Sequence, residues 1–530
     1  MVSKTLNFLY LALLTLALAP ASLADDEAAR PSRPGPDETM RTKVTAASNY
    51  LKAWRADGDV AGDRTMKVIY WTPADRDPAP AYQERLSRTM LAVQDFYRGE
   101  MNRLGLGKRT IGLEKDGDGQ VKIHVVKGKK PYAAYDVGSG NAIRNECRPA
   151  MAAKGINIDE ETIVIFCNMS NWNPEKRTVN QNSPYYAGGN WMRGTAWQVD
   201  SPILDINHLA DKGNHVRDGQ YGHINLGRYN SIFIGGIIHE VGHAIGMPHC
   251  RECESDRTRY GTALMGSGNR TYGEDLRGEG LGSFLELGHA LKLASHPQFS
   301  NSLKGFGSKS SRQITEREIQ VGTDGKRVRY SARIEGNPKV YLAIAYIDPA
   351  GGGDYNSQIV CAVPDAEGRF SLESYELAPN KSYELRVVFV HVNGDASAWQ
   401  GPTRNEAFSF ATDSDARPKV EIIAKRELIN PIFASLDRRD RRTAIALFDK
   451  LKSDPRAAKF PELVPLVENA LVQVGQAVIP AEVNAEAKTA DLAVLKPSAA
   501  KVGWGRPVYN RVPSVGAIFL YGELYESGIY

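Results

Sequence analysis

"HEVGHAIGMPHC" runs from His239 to Cys250. The chain has 530 residues and only 10 histidines, yet three of them stand in this stretch, with a glutamate directly after the first. The longer segment "NSIFIGGIIHEVGHAIG" (Asn230–Gly246) opens on capping residues and is predicted to run helical as far as its last glycine. Residues four apart share one face of a helix, so His239 and His243 point the same way as a chelating pair. Gly246 can adopt the left-handed conformation, end the helix and turn the chain so that His249 comes back toward the pair. Three neutral imidazoles suit Zn2+ and leave its fourth position for water, whose pKa bound zinc lowers to about 7. Glu240 lies beside a ligand but is not needed as one. It is placed to take the water's proton and pass it to a leaving amine.

Working outward, length and composition set the frame. A chain this long is expected to fold as several domains. The net charge is +4, and no dense basic stripe points to nucleic acid. The nearest thing to one, "LDRRDRR" (Leu436–Arg442), reads as the solvated face of a helix. At the N-terminus, Lys4, the apolar run Leu6–Ala19 and the small residues of "ASLA" (Ala21–Ala24) read as an export signal, residues 1–24, cut after Ala24. The run is shorter than the ~20 apolar residues that span a bilayer. The mature protein is therefore expected to have no membrane span and to be secreted, periplasmic or at the cell surface. The five cysteines are an odd number and cannot all pair within the chain. Cys250 and Cys253 form a C-x-x-C that is open to a local disulfide or to thiols.

Residues 25–62 begin polar and proline-rich and read as a linker or short pro-region. "MKVIYW" (Met66–Trp71) and "ETIVIFCN" (Glu161–Asn168) read as buried strands, and Tyr82–Leu106 as an amphipathic helix. "KDGDGQ" (Lys115–Gln120) reads as a hairpin turn, and "GGNWMRGTAWQV" (Gly188–Val199) as one strand entered through a glycine turn. Strands, a long helix and the histidine helix together define a mixed α/β domain over residues 63–304. From 313 to 412, short strands separated by turn residues read as an antiparallel β-sandwich with an immunoglobulin-like or fibronectin-like pattern. Residues 418–480 read as a short helical segment. Nothing after residue 305 offers a metal ligand, so a chain ending near Ser300 is expected to fold, bind zinc and cleave on its own.

The spacing H-E-x-x-H-x-x-G-x-x-H at His239, Glu240, His243, Gly246 and His249 resembles the zinc signature of the metzincin metallopeptidases. That clan places a methionine turn below the metal, and "TALMGSGN" (Thr262–Asn269) resembles it, which makes Met265 the supporting residue. Some members add a tyrosine after the turn as a further metal or transition-state ligand, and Tyr272 stands in roughly that region. Matrixins carry a second, structural metal in a loop similar to "DINHLADKGNHVRDGQYGH" (Asp205–His223). The spacing here departs from theirs, and an exposed loop rimming the cleft is the preferred reading.

The end of the chain, residues 488–530, resembles the start of an NPCBM carbohydrate-binding module, through Leu495, Val502, Gly503, Trp504, Gly505, Asn510 and Gly528. The likeness covers only part of such a module, a second β-sandwich. Taken together, the sequence predicts a multidomain, exported zinc metalloendopeptidase of metzincin type. It would act on protein or glycoprotein, with polysaccharide or glycan reached through its C-terminal modules, and would bind no nucleic acid. The alternative is an exported carbohydrate-binding or surface-attachment protein with a degenerate metal domain.

Overall fold

The computed structural model describes residues 33–351, 354–397 and 406–476. The segments expected to be an export signal (1–24) and the start of an NPCBM module (488–530) lie outside the described residues. The packing divides the chain into two compact units. Of the described residues, the first holds those up to Arg41, Arg64–Met247 and Glu254–Glu286, and the second holds Thr42–Asp63, Pro248–Cys253 and those from Leu287 onward.

Helix α1 (Glu38–Ala56) occupies much of the stretch expected to be a linker. The proline-rich composition ends at Pro36, Asp37 then accepts the Met40 amide at 2.8 Å as a cap, and Val44, Ala47 and Leu51 are buried on one face.

The first unit is built on a sheet whose central strands are β1 (Thr65–Thr72), with β2 (Gly112–Leu113) and β3 (Ile123–Lys127) along one side of it. The order continues through β4 (Thr162–Cys167) and β8 (Gly194–Val199) to β7 (Tyr186–Gly189) at the edge. All pairings are parallel except β7 with β8. A parallel sheet needs both faces covered, and its strands accordingly read as apolar runs. On one face Ile69, Trp71, Ile163, Ile165 and Cys167 pack with Ile143, Cys147 and Met151 of α3 (Gly140–Ala152). α2 (Tyr82–Arg103) is bonded to the histidine helix α4 (Leu226–Ala244) through Tyr97, whose hydroxyl donates to the Ile238 carbonyl at 2.9 Å.

Lys115–Gln120 forms the expected tight turn, closed by the antiparallel Lys115–Val121 bridge and by the Asp116 amide donating to the Gln120 carbonyl at 2.9 Å, while the strands beyond it, β2 and β3, both run parallel to β1. One strand reading changes. Gly188–Val199 is not one strand but the antiparallel pair β7–β8. Asn190 folds the turn between them, its side chain accepting the Met192 amide at 2.8 Å.

A second sheet of this unit combines β5 (Ser170–Asn173), β6 (Thr178–Gln181), β9 (His215–Asp218) and β10 (Gly222–Asn225). After α4 come α5 (Glu254–Tyr260), β11 (Thr262–Ala263), α6 (Glu274–Arg277) and β12 (Ser283–Phe284).

The second unit contains α7 (Leu287–Ala294) and α8 (Pro297–Ser300), then two antiparallel sheets. One has β13 (Ser311–Val321), β14 (Val328–Asn337) and β17 (Arg369–Glu373). The other has β15 (Val340–Pro349), β16 (Gln358–Ala362), β18 (Ser382–His391) and β19 (Glu406–Ala411). Their inner residues share one apolar cluster, including Tyr330, Ile334, Ala345, Phe370, Leu385 and Phe389. The sequence reading ends the first domain at 304. The packing instead groups α7 with the sheets, because Tyr341 donates to the Leu291 carbonyl and His289 Nε2 lies 3.0 Å from the Tyr346 hydroxyl. Three helices follow, α9 (Glu421–Asp437), α10 (Arg441–Ser453) and α11 (Leu463–Gln476), with a cluster of their own. No helix among the described residues is long and apolar enough to cross a membrane.

Candidate metal centre

α4 begins earlier than its sequence implies. Its cap is Asn225, which accepts the Arg228 amide at 2.7 Å. Asn230, a capping residue by type, is buried one turn inside the helix. It accepts the Asp205 amide at 2.8 Å and donates to the carbonyls of Ile203 and Leu226. The helix is buried along almost its whole length, and a buried salt bridge fixes the loop that leads to it. Arg85 of α2 grips both oxygens of that loop's Asp200, at 2.9 and 3.1 Å, and donates to the carbonyls of Ser201 and Leu204.

The helix ends as the glycine predicts. Gly246 sits at φ +85°, its amide donates to the His243 carbonyl at 3.0 Å, and the Met247 amide donates to the Gly242 carbonyl at 2.9 Å. This is the paired 5→2 and 6→1 bonding of a Schellman turn. It also brings the Met247 carbonyl back to within 2.7 Å of His243 Nδ1.

His239, His243 and His249 each place one ligand atom within 4.8 Å of the others, and no other such group of three occurs among the described residues. Each ring has its Nδ1 occupied. His239 Nδ1 lies 2.8 Å from the Leu264 carbonyl, His243 Nδ1 2.7 Å from that of Met247, and His249 Nδ1 2.7 Å from Asp354 Oδ1. An Nδ1–H donated to such an acceptor leaves the Nε2 lone pair for a metal. The Nε2 atoms of His239 and His243 are 3.1 Å apart. Two nitrogens of a tetrahedral zinc, each at about 2.0–2.1 Å from it, stand roughly 3.3 Å apart. The donor set therefore fits a zinc ion.

Glu240 follows His239 and is 9% exposed. Burial pushes its carboxyl up to about 7. Met265 is also buried, and its Sδ fills the space where a side chain at Gly242 would stand, 2.6 Å from the position a Cβ would take. The residue before it, Leu264, supplies the carbonyl that holds His239. Tyr272, the further tyrosine of the sequence reading, packs one helical turn before His239. It is 3% exposed, packed edge-on against Phe96 at 6.0 Å and against Gly235.

The histidine-rich loop gathers no third ligand. His215 and His223 stack across β9 and β10 with centroids 5.0 Å apart. The carboxylates hold turns instead: Asp211 accepts the amides of Gly213 and Asn214, Asp218 those of Gln220 and Tyr221, and Asp205 pairs with Arg88. No disulfide joins the cysteines. Cys147 and Cys167 lie in the apolar cluster under β4, and burial pushes the Cys147 thiol up to about 12. Beside the edge strand, an open depression of about 430 Å³ is lined by Asn141, Arg144, Glu161, Tyr186, Arg193 and Trp197, among others.

No protein-family model matches the chain, and no curated protein matches it. Solved structures do. Wild-type OgpA from Akkermansia muciniphila is 26% identical with a TM-score of 0.54, the match covering 68% of this chain and 96% of that one. Catalytically inactive OgpA from the same organism, solved in complex with the O-glycopeptide substrate glycodrosocin, matches with the same identity, coverage and TM-score.

Proposed function

We propose that this chain is an exported zinc-dependent endopeptidase of metzincin type that cleaves O-glycosylated protein. The observation that carries the reading is the arrangement of the three imidazoles, each with its Nδ1 bound to an acceptor and its ligand atom facing the other two. The likeness to OgpA supports a peptidase, and the O-glycopeptide bound to that protein supports a glycosylated substrate. The depression beside β7, with aromatic rings next to amide and guanidinium groups, is of a kind that suits a sugar.

His239, His243 and His249 would hold the metal. A bound zinc ion supplies Lewis acidity for the scissile carbonyl and for a water. Glu240 takes the proton of the attacking water and delivers it to the leaving amine. Its neighbours exclude bulk water, so the proton stays within the site. Met265 and the turn around it keep α4 in place beneath the ligands.

The test is direct. Purified protein should carry about one zinc per chain. It should cut an O-glycosylated peptide faster than the same peptide without sugar, and lose that activity to a chelator with recovery on adding zinc. Protein without metal, or cleavage indifferent to chelation, overturns the reading. Zinc-loaded protein that binds the glycopeptide without cutting it would favour the attachment role instead.

A further inference from the structure

Two of the three imidazoles are aimed by main-chain carbonyls, and the third is aimed by a side chain 105 residues further along the chain. Asp354 belongs to a single helical turn, Asp354–Asn356, between β15 and β16. Its carboxylate meets His249 Nδ1 at 2.7 Å. The next residue, Tyr355, lays its ring on the imidazole, with centroids 3.6 Å apart and planes 26° from parallel. The turn is itself anchored. The Ser357 amide donates to the Asp354 carbonyl at 3.0 Å, and the Ser357 carbonyl accepts the Arg251 amide at 2.7 Å. Arg251 forms a parallel bridge with Gln358, and the buried Ser357 hydroxyl accepts from Arg386 at 3.2 Å. The segment that carries His249 thus lies along the start of β16 in a fixed register.

A neutral imidazole has one N–H, and where that proton sits decides which nitrogen can bind a metal. A carboxylate opposite Nδ1 draws the proton there, leaves Nε2 as the donor and makes it more basic, more strongly than a neutral carbonyl does. The stacked tyrosine removes the other freedom, rotation of the ring about its Cβ–Cγ bond.

We infer that Asp354 is a positioning residue of the metal centre, holding His249 in the tautomer that presents Nε2 to a metal, and that Tyr355 assists by clamping the ring. The inference rests on the zinc-peptidase reading. It departs from the expectation that a chain ending near Ser300 is self-sufficient, because such a chain keeps all three ligands and loses what aims the third.

The experiment compares full-length parent with Asp354→Ala and with the isosteric Asp354→Asn. Zinc affinity is read by competition with a chromophoric chelator, melting is followed on metal-free protein, and kcat and KM are measured at saturating zinc. Zinc affinity is expected to fall roughly 10- to 100-fold in Asp354→Ala and less in Asp354→Asn, which keeps an acceptor but not the charge. The loss at saturating zinc should appear in kcat rather than KM. If both variants hold zinc within about twofold of the parent, Asp354 is only a structural staple and the inference is overturned, even where melting drops. A parent that binds no zinc overturns the peptidase reading and this inference together. Parent and variants that bind it equally overturn this inference alone.

Discussion

Replacing Gly194 by alanine adds one methyl group at the point where β8 meets the end of the histidine helix. The new Cβ would lie 1.9 Å from the Ala244 carbonyl oxygen, 2.7 Å from its carbon and 2.9 Å from its Cα. All three are backbone atoms, so no side chain can swing aside. Ordinary contact begins at 3.4 Å, so the strand and the helix end must part by about 1.5 Å. Gly189, paired with Gly194 across the hairpin, faces the same oxygen at 2.0 Å and leaves no slack on that side. Overpacking of this kind costs about 1–3 kcal/mol, which in a unit of this size lowers the melting temperature by roughly 2–10 °C. The functional loss should be larger than the stability loss. Ala244 follows His243, and a displacement near 1 Å at a reacting group costs about 10²-fold in rate. Gly117→Ala, in the Lys115–Gln120 turn, is the control, since a Cβ there meets nothing within 4 Å. Both variants would be assayed for melting of the metal-free protein, zinc content and O-glycopeptide cleavage. If Gly194→Ala melts and cleaves like Gly117→Ala, the close approach of helix and sheet does not set the geometry of the histidines, and the reasoning fails.

Glu240→Gln keeps the shape of the side chain and removes the proton acceptor, so cleavage should drop by roughly 10²-fold or more while zinc content stays at the parental value; an equally fast variant would rule out Glu240 as the base. Glu114 gives a prediction in pH. Its burial alone would raise its pKa, but bonds from His124 and Lys122, with Lys67 nearby, overcome this and hold it at about 2, against 4.5 for the free group. A carboxyl whose pKa is lowered by folding stabilises the fold above its unfolded value, and that contribution fades as the pH falls toward the folded one. The melting gap between parent and Glu114→Gln should therefore be full above pH 4.5 and shrink toward pH 2. A gap that stays constant on acidification would show that the cluster adds nothing to stability.

The gathering of the three histidines was legible because it is local. A spacing of four on a helix and a glycine just past its end determine where His239, His243 and His249 can go, and the structure brings the three together. What holds their Nδ1 atoms was not legible. The acceptors at Leu264 and Met247 are carbonyls, which every residue has, and Asp354, in a turn that its preceding glycines mark, carries no local sign that it meets a histidine 105 residues earlier. The helix start was misjudged for a related reason. Asn225 and Asn230 are equally good caps by type, and only the buried bonds Asn230 makes with Ile203 and Asp205 decide between them. Asn190, in contrast, offered a turn signal inside "GGNWMRG" that a reading focused on its glycines passed over.

The difference between the acceptors bears on how the site can change over generations. Any exchange at Leu264 or Met247 that preserves the backbone keeps the bond to the ring, so those positions can drift under selection for packing alone. Position 354 has no such latitude, because the atom that meets His249 belongs to the side chain. Among descendants of this chain, loss of the aspartate should be accompanied by a new acceptor for His249 or by a different third ligand. Substitutions at 249 and 354 are therefore expected to arise together.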